Sequence, residues 1–176
     1  IRWIIDHERY DAQYLTQPGP AAMAAAGEAS WSNATHLLVN EPKHPRYGQF
    51  LRGADIGLPM PEPVDEKTPA EDVYLVQLAD GSIVPHTVEQ AAELVVEREF
   101  TPTKAADATE EPAPLAVCTS FVKLRGEARR HTLEEYAAFC GVPVAEIESL
   151  AKEFTSHGKQ AVANSHGGTM SGSGFY

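Results

Sequence analysis

Between Thr132 and Gly158 the chain carries its own start and stop signals, and no other stretch narrows its fold so far. Thr132 followed three residues later by Glu135 has the pattern of a capping box, in which each residue satisfies a backbone N–H of the first helical turn. Leu133, Tyr136, Ala137 and Cys140 are the apolar positions of the helix that follows, and Gly141 stops it. Pro143 opens a second helix, in which Ile147, Leu150, Ala151 and Phe154 recur at i, i+3, i+4 and i+7 as one apolar face, and Gly158 ends it. A strand is expected at Gln160 to Asn164, running into Ser165-His166-Gly167-Gly168-Thr169-Met170-Ser171-Gly172-Ser173-Gly174. A strand that feeds a loop of glycines and hydroxyls is how α/β proteins present backbone N–H groups to a phosphate or a heterocycle. An ordinary strand-to-helix connection, made flexible by Gly and Ser, is the alternative.

The rest of the chain is less regular. Trp3, Ile4, Ile5, Tyr10, Tyr14 and Leu15 have a rough helical spacing that breaks at Pro18 and Pro20. Pro20 to Ala26 reads as a second helix closed by Gly27, and Thr35 to Val39 as a buried strand. Val73 to Leu78, Asp80-Gly81 and Ser82 to Val84 form the best hairpin signal, with Pro85 ending the second strand. Thr87 and Gln90 suggest a capped short helix through Ala92; Leu94 to Phe100 and Leu115 to Leu124 read as strands, the latter with Val117, Phe121 and Val122 in the core. Residues 101 to 114 are a Thr-, Pro- and acid-rich loop. The expected class is mixed α/β: a helical segment at 1–27, an acidic β-containing excursion at 28–125, and a helix-helix-strand unit at 126–176.

Charge is concentrated in the middle. Of a formal net charge of −11, residues 61 to 113 hold thirteen acidic side chains against Lys67, Arg98 and Lys104. Such a surplus argues against nucleic-acid binding, which needs a basic footprint. It reads as a solvated face, or else as a docking surface for a basic partner. Cys118 and Cys140 have no C-x-x-C context and are expected to be buried free thiols; the seven histidines lack an i, i+4 pair and are poor metal candidates. His7, Glu8 and Asp11 are better explained as a helix terminus than as acid–base groups. Trp31, His36 and Tyr47 either line a binding surface or anchor the excursion to the core. No stretch has the order of a signal peptide or reaches the ~20 apolar residues of a membrane span. The apolar start Ile1-Arg2-Trp3-Ile4-Ile5, without Met, and the stop after Phe175-Tyr176 lead to the expectation of a segment from a larger protein.

The order Thr-Leu-Glu-Glu-Tyr-Ala-Ala-Phe-Cys-Gly-Val-Pro from Thr132, its amphipathic helix, and then Ser165-His166-Gly167-Gly168-Thr169-Met170 resembles the molybdopterin oxidoreductases of the dimethyl-sulfoxide-reductase family. Tyr10-Asp11-Ala12-Gln13-Tyr14-Leu15 is similar to that family's Tyr-Asp-x-x-Phe-Leu segment. Gly167 to Gly172, Ala29 to Val39 and His44-Pro45-Arg46-Tyr47-Gly48 point to its tetrathionate-reducing members. The resemblance covers residues 1 to 50 and 115 to 176 well and the acidic middle poorly.

The resemblance implies a catalytic subunit whose molybdenum carries two molybdopterin guanine dinucleotides, supplied with electrons through an iron–sulfur cluster. Tetrathionate is then reduced to two thiosulfates in anaerobic respiration. The cluster cysteines and the molybdenum ligand belong upstream, so no catalytic or metal-binding residue is assigned to this chain. Its implied contribution is cofactor binding by Asn164, Ser165, His166, Gly167, Gly168 and Thr169, where glycines allow close backbone approach and the hydroxyls donate hydrogen bonds. Met170 stands where many family members carry Gln and offers no amide to the pterin. By itself the segment is expected to hold no cofactor and to be inactive. The implied partners, in the periplasm, are a membrane anchor subunit plus an iron–sulfur electron-transfer subunit. Alternatives are a family member acting on arsenate, polysulfide or another sulfur oxyanion, and a non-enzymatic interaction module built on the acidic excursion.

Overall fold

The computed structural model describes residues 1–59, 61–62, 72–102 and 113–162. In chain order its elements are α1 (Arg2–Asp6), α2 (Ala12–Leu15), α3 (Pro20–Ala26), β1 (Leu37–Val39), a 3-10 turn (Gly53–Ile56), β2 (Leu75–Gln77), β3 (Ile83–Pro85), β4 (Glu97–Phe100), β5 (Leu115–Thr119), α4 (Ser120–Ala128), α5 (Leu133–Cys140), α6 (Val144–Ser156) and a closing 3-10 turn (Gly158–Gln160). They fall into two compact units: Ile1–Tyr10 with His131–Tyr176, and the continuous stretch Asp11–Arg130. The mixed α/β class expected from the sequence is present. Most of the loop expected at 101–114 lies outside the described residues.

In the continuous unit, β5 lies between β1 and β4 in an antiparallel sheet, with Leu38 opposite Cys118 and Val117 opposite Arg98. Alternation along the strands gives the sheet two apolar faces. Leu37, Val39 and Val117 join Leu51, Leu75 and Val96 on one side, while Leu38 and Cys118 meet Val122 of α4 on the other. Full burial of each large aliphatic side chain stabilises the unit by about 1.5–3 kcal/mol. The hairpin β2–β3 is joined to the sheet through residues 50–52: Leu51 N donates to Leu37 O and Leu51 O accepts from Leu75 N. Its turn is the expected Asp80-Gly81, where Gly81 has φ +84° and the Asp80 carboxylate accepts from the N–H and hydroxyl of Ser82.

Before Arg130 three elements differ from the sequence expectation, each because a hydrogen bond overrides the local pattern. The strand expected to run from Leu115 to Leu124 stops at Thr119 and becomes α4. The Thr119 hydroxyl, fully buried, donates to Leu94 O at 2.7 Å and accepts from Val122 N at 3.3 Å. Ser120 N and Phe121 N donate to His36 O and Ala34 O, so the exposed amides of a new helix find partners. The helix expected after Thr87 is absent, because Ala92 N and Glu93 N are drawn to Thr16 O and Gln77 O. The first helical stretch is split: Glu8 has φ +51°, and Asp11 caps α2 by accepting from Tyr14 N at 3.0 Å.

In the other unit the capping box is formed as read. Thr132 N donates to Glu135 Oε2 at 2.7 Å, Glu135 N donates to Thr132 Oγ1 at 3.2 Å, and Gly141 is left-handed at φ +69°. Trp3 and Ile5 of α1 are buried, Lys152 of α6 lies over the Trp3 ring, and Arg9 donates to Thr155. The apolar face of α6 is only half used: Leu150 is 70% exposed and Phe154 39%. Cys140 is also exposed, which corrects the expectation that both thiols are buried; Cys118 is buried. Gln160 ends a 3-10 turn instead of opening a strand, and Ala161 and Val162 belong to no strand. Thr119→Val removes both hydrogen bonds of the Thr119 hydroxyl with little change in shape. It is expected to destabilise the continuous unit by about 1–3 kcal/mol, read as a lowered urea midpoint with an unchanged slope.

Candidate binding cleft

The residues assigned to cofactor binding, Asn164, Ser165, His166, Gly167, Gly168 and Thr169, lie outside the described residues. So does Met170.

The side chains that the structure does gather are in the continuous unit, around His36. Residues 16–18 lie with their backbone against three other segments: Thr16 O accepts from Ala92 N, Gln17 O from Ser32 N, and Pro18 O from His36 Nε2 at 2.9 Å. Gln17, Pro18 and His36 are buried. Gly19 then passes so close to the end of β3 that a Cβ there would sit 2.7 Å from His86 O, a place only glycine can occupy without a shift. The ring of His36 meets His86 at 5.2 Å, Tyr74 at 5.4 Å and Phe50 at 5.6 Å between centroids, and Trp31 stacks at 6.2 Å. Tyr74 and His86 face each other across the hairpin, where His86 N donates to Tyr74 O at 2.8 Å. The Arg52 guanidinium lies 5.8 Å from the Tyr74 centroid.

These rings wall an open cleft of about 400 Å³ that Tyr14, Trp31, Asn33, His36, Phe50 and Tyr74 line. Burial pushes the His36 pKa below its usual value against the raising effect of its bond to Pro18 O, and neighbouring His86 lowers it further. Burial also lowers His86. Both imidazoles are therefore neutral near pH 7, and the cleft offers aromatic faces and neutral polar groups.

A second cleft, of about 280 Å³, lies by α4 and is lined by Asn40, Glu97, Cys118, Lys123, Arg125 and Glu127 among others. Lys123 Nζ donates to Tyr47 OH at 2.7 Å and to Asn40 Oδ1 at 3.4 Å, and the bond to Tyr47 holds its pKa up. Burial pushes the Cys118 thiol up, away from the reactive thiolate. Trp31 and His36, paired in the sequence reading, do meet; Tyr47 belongs instead to the lysine. His7 Nδ1 donates to Trp3 O and its ring stacks on that of Trp3, a helix-end role, and Asp11 is a cap. The sequence reading missed Phe50, Tyr74 and His86. Extending the hairpin by one pair beyond Leu75 and Pro85 sets Tyr74 against His86, so a signal for that pair was available.

No family model matches the chain, and no solved structure does. It is 39% identical over all 176 residues to a tetrathionate reductase subunit of Salmonella typhimurium. It is 30% identical over 170 residues to a selenate reductase subunit of Mesobacillus selenatarsenatis, and 29% over 153 residues to a tetrathionate reductase subunit of Archaeoglobus fulgidus. The chain is a homologue of part of these reductase subunits. The three alignments take in 100%, 97% and 87% of it, but it spans only 16%, 14% and 12% of the relatives' own lengths. The first alignment runs through the acidic middle, where the sequence motifs alone gave little resemblance.

Because burial lowers the pKa of both His36 and its neighbour His86, the folded chain binds fewer protons than the unfolded one once the pH falls below their usual value of 6.5. Their contribution to stability is complete above that pH and is lost as pH falls from it toward the lowered folded values. The urea midpoint is expected to be lower at pH 5 than at pH 7.5, and His86→Gln is expected to shrink that difference.

Proposed function

We propose that this chain is part of the catalytic subunit of a molybdenum-dependent reductase that converts tetrathionate to two thiosulfates. The observation that carries this reading is the 39% identity to a tetrathionate reductase subunit over the whole chain. The reading includes two molybdopterin guanine dinucleotides and an iron–sulfur cluster in the full-length protein. Its partners are a membrane anchor subunit plus an iron–sulfur electron-transfer subunit, and its location is the periplasm.

Among the described residues no three His, Cys, Asp or Glu side chains gather in a way that would hold a metal ion, and none of their helices is long and apolar enough to cross a membrane. No described residue is therefore given a metal-ligating or redox role. When bound, the cofactor supplies the two electrons that break the central S–S bond. In this reading the chain's own part is the cofactor binding assigned to Asn164, Ser165, His166, Gly167, Gly168 and Thr169, an assignment supported by their sequence, since glycines tolerate close backbone approach and hydroxyls are hydrogen-bond donors. A second reading, a reductase of selenate or another oxyanion, is supported by the 30% identity to a selenate reductase subunit.

The test uses the full-length protein, purified without oxygen and assayed by oxidation of a reduced viologen with tetrathionate, selenate, arsenate, thiosulfate and polysulfide in turn. Bound molybdenum and a rate that depends on tetrathionate are expected. Molybdenum with turnover of selenate and none of tetrathionate selects the second reading. A preparation with no molybdenum, and no pterin fluorescence after denaturation, refutes both.

A further inference from the structure

The cleft around His36 is defined by three features that no reductase chemistry requires. Its walls are rings: Trp31, His36, Phe50 and Tyr74 lie 5.3 to 6.2 Å apart along the contacts described, with Tyr14 also on its lining. Among the described residues no Asp, Glu, Lys or Arg contributes to its lining. It also contains one buried polar ring, His36, whose bonding capacity is half spent. Pro18 O can only accept, so the 2.9 Å bond assigns the proton of the neutral imidazole to Nε2 and leaves Nδ1 as the lone-pair nitrogen. No described residue donates to Nδ1, although His36 is only 2% exposed.

Each feature restricts the ligand. A volume of about 400 Å³ suits a small molecule and admits a bicyclic ring. Aromatic walls favour a flat partner that stacks on them. With no cation among the described lining residues, the cleft is a poor place for a sulfur or selenium oxyanion, whose charge would lose water without gaining a counter-charge there. A purely apolar ring would seal the acceptor nitrogen away from water unpaired, which an N–H on the ligand avoids. We propose that the cleft binds a neutral, planar heteroaromatic ring bearing an N–H donor, of the azole or purine type, stacked among Trp31, Phe50 and Tyr74 and donating to His36 Nδ1. The site is independent of the oxidant the full-length protein reduces.

The experiment titrates the full chain at pH 7.5 with benzimidazole, a flat bicycle with one N–H, and with 1-methylbenzimidazole, which keeps the ring and lacks the donor. Nitrogen-15 spectra of labelled histidine follow His36, and intermolecular proton contacts locate the ligand. Saturable binding of benzimidazole with movement of the His36 Nδ1 resonance is expected, with contacts to the Phe50 and Tyr74 rings. The methylated probe is expected to bind about tenfold more weakly or worse, or about 1.4 kcal/mol. Trp31→Ala, at a partly exposed position, is expected to weaken benzimidazole by a similar factor while the other histidine resonances stay in place. No saturable binding at millimolar benzimidazole, equal affinity for the two probes, or ligand contacts that avoid Phe50 and Tyr74 would each overturn the proposal.

Discussion

A single buried imidazole joins most of the continuous unit. Through its side chain His36 holds the carbonyl of Pro18, and through its own carbonyl it accepts the first amide of α4 from Ser120. Its ring contacts Phe50, Tyr74 and His86, which belong to the bridging segment and to the two arms of the hairpin. Remove that ring and the carbonyl of Pro18 loses its partner in the interior, and Phe50, Tyr74 and His86 lose the ring they pack against. Burying a neutral histidine is tolerable because one ring nitrogen donates to the Pro18 carbonyl. Structure and candidate site thus rest on the same residue.

What could be read from the sequence was what local chemistry decides. The capping box of α5, its glycine stop and the Asp80-Gly81 turn depend on residues three or four apart, and the structure has all of them. The misread elements depend on partners far along the chain. Thr119 ends β5 because Leu94 accepts its hydroxyl, and the segment after Thr87 stays out of a helix because Thr16 and Gln77 take its later amides. Neither bond has a local signature. The cleft was half legible for the same reason: Trp31 and His36 are close in sequence, and Tyr74 with His86 follows from hairpin register, whereas Phe50 reaches the cluster only through the pairing of residues 50–52 with β1 and β2. Tyr47 has an aromatic's composition but a lysine's company.

The kinship and the described chemistry concern different parts of the chain. Identity to the reductase subunits extends over its whole length, while the cofactor assignment falls on Asn164 to Thr169 and the described rings and hydrogen bonds cluster in Asp11–Arg130. The two clefts of that unit differ in kind. One is aromatic and uncharged; the other sets Lys123 and Arg125 against Glu97 and Glu127. Cys118, between sheet and α4, is packed as an apolar residue, and burial raises its thiol pKa.

The composition of the two units has a consequence for the order in which the chain acquires structure during synthesis. Asp11–Arg130 is continuous, so every partner it needs has been made once Arg130 emerges. Trp3 and Ile5 are made before any of that unit, yet the helix they pack with, α6, is made after all of it. Roughly 140 residues must leave the ribosome, at about 5–20 residues per second, before α6 can pack against that apolar pair. On that scale about seven to thirty seconds separate the synthesis of α1 from that of α6, and the whole of Asp11–Arg130 is translated between the two helices that pack together.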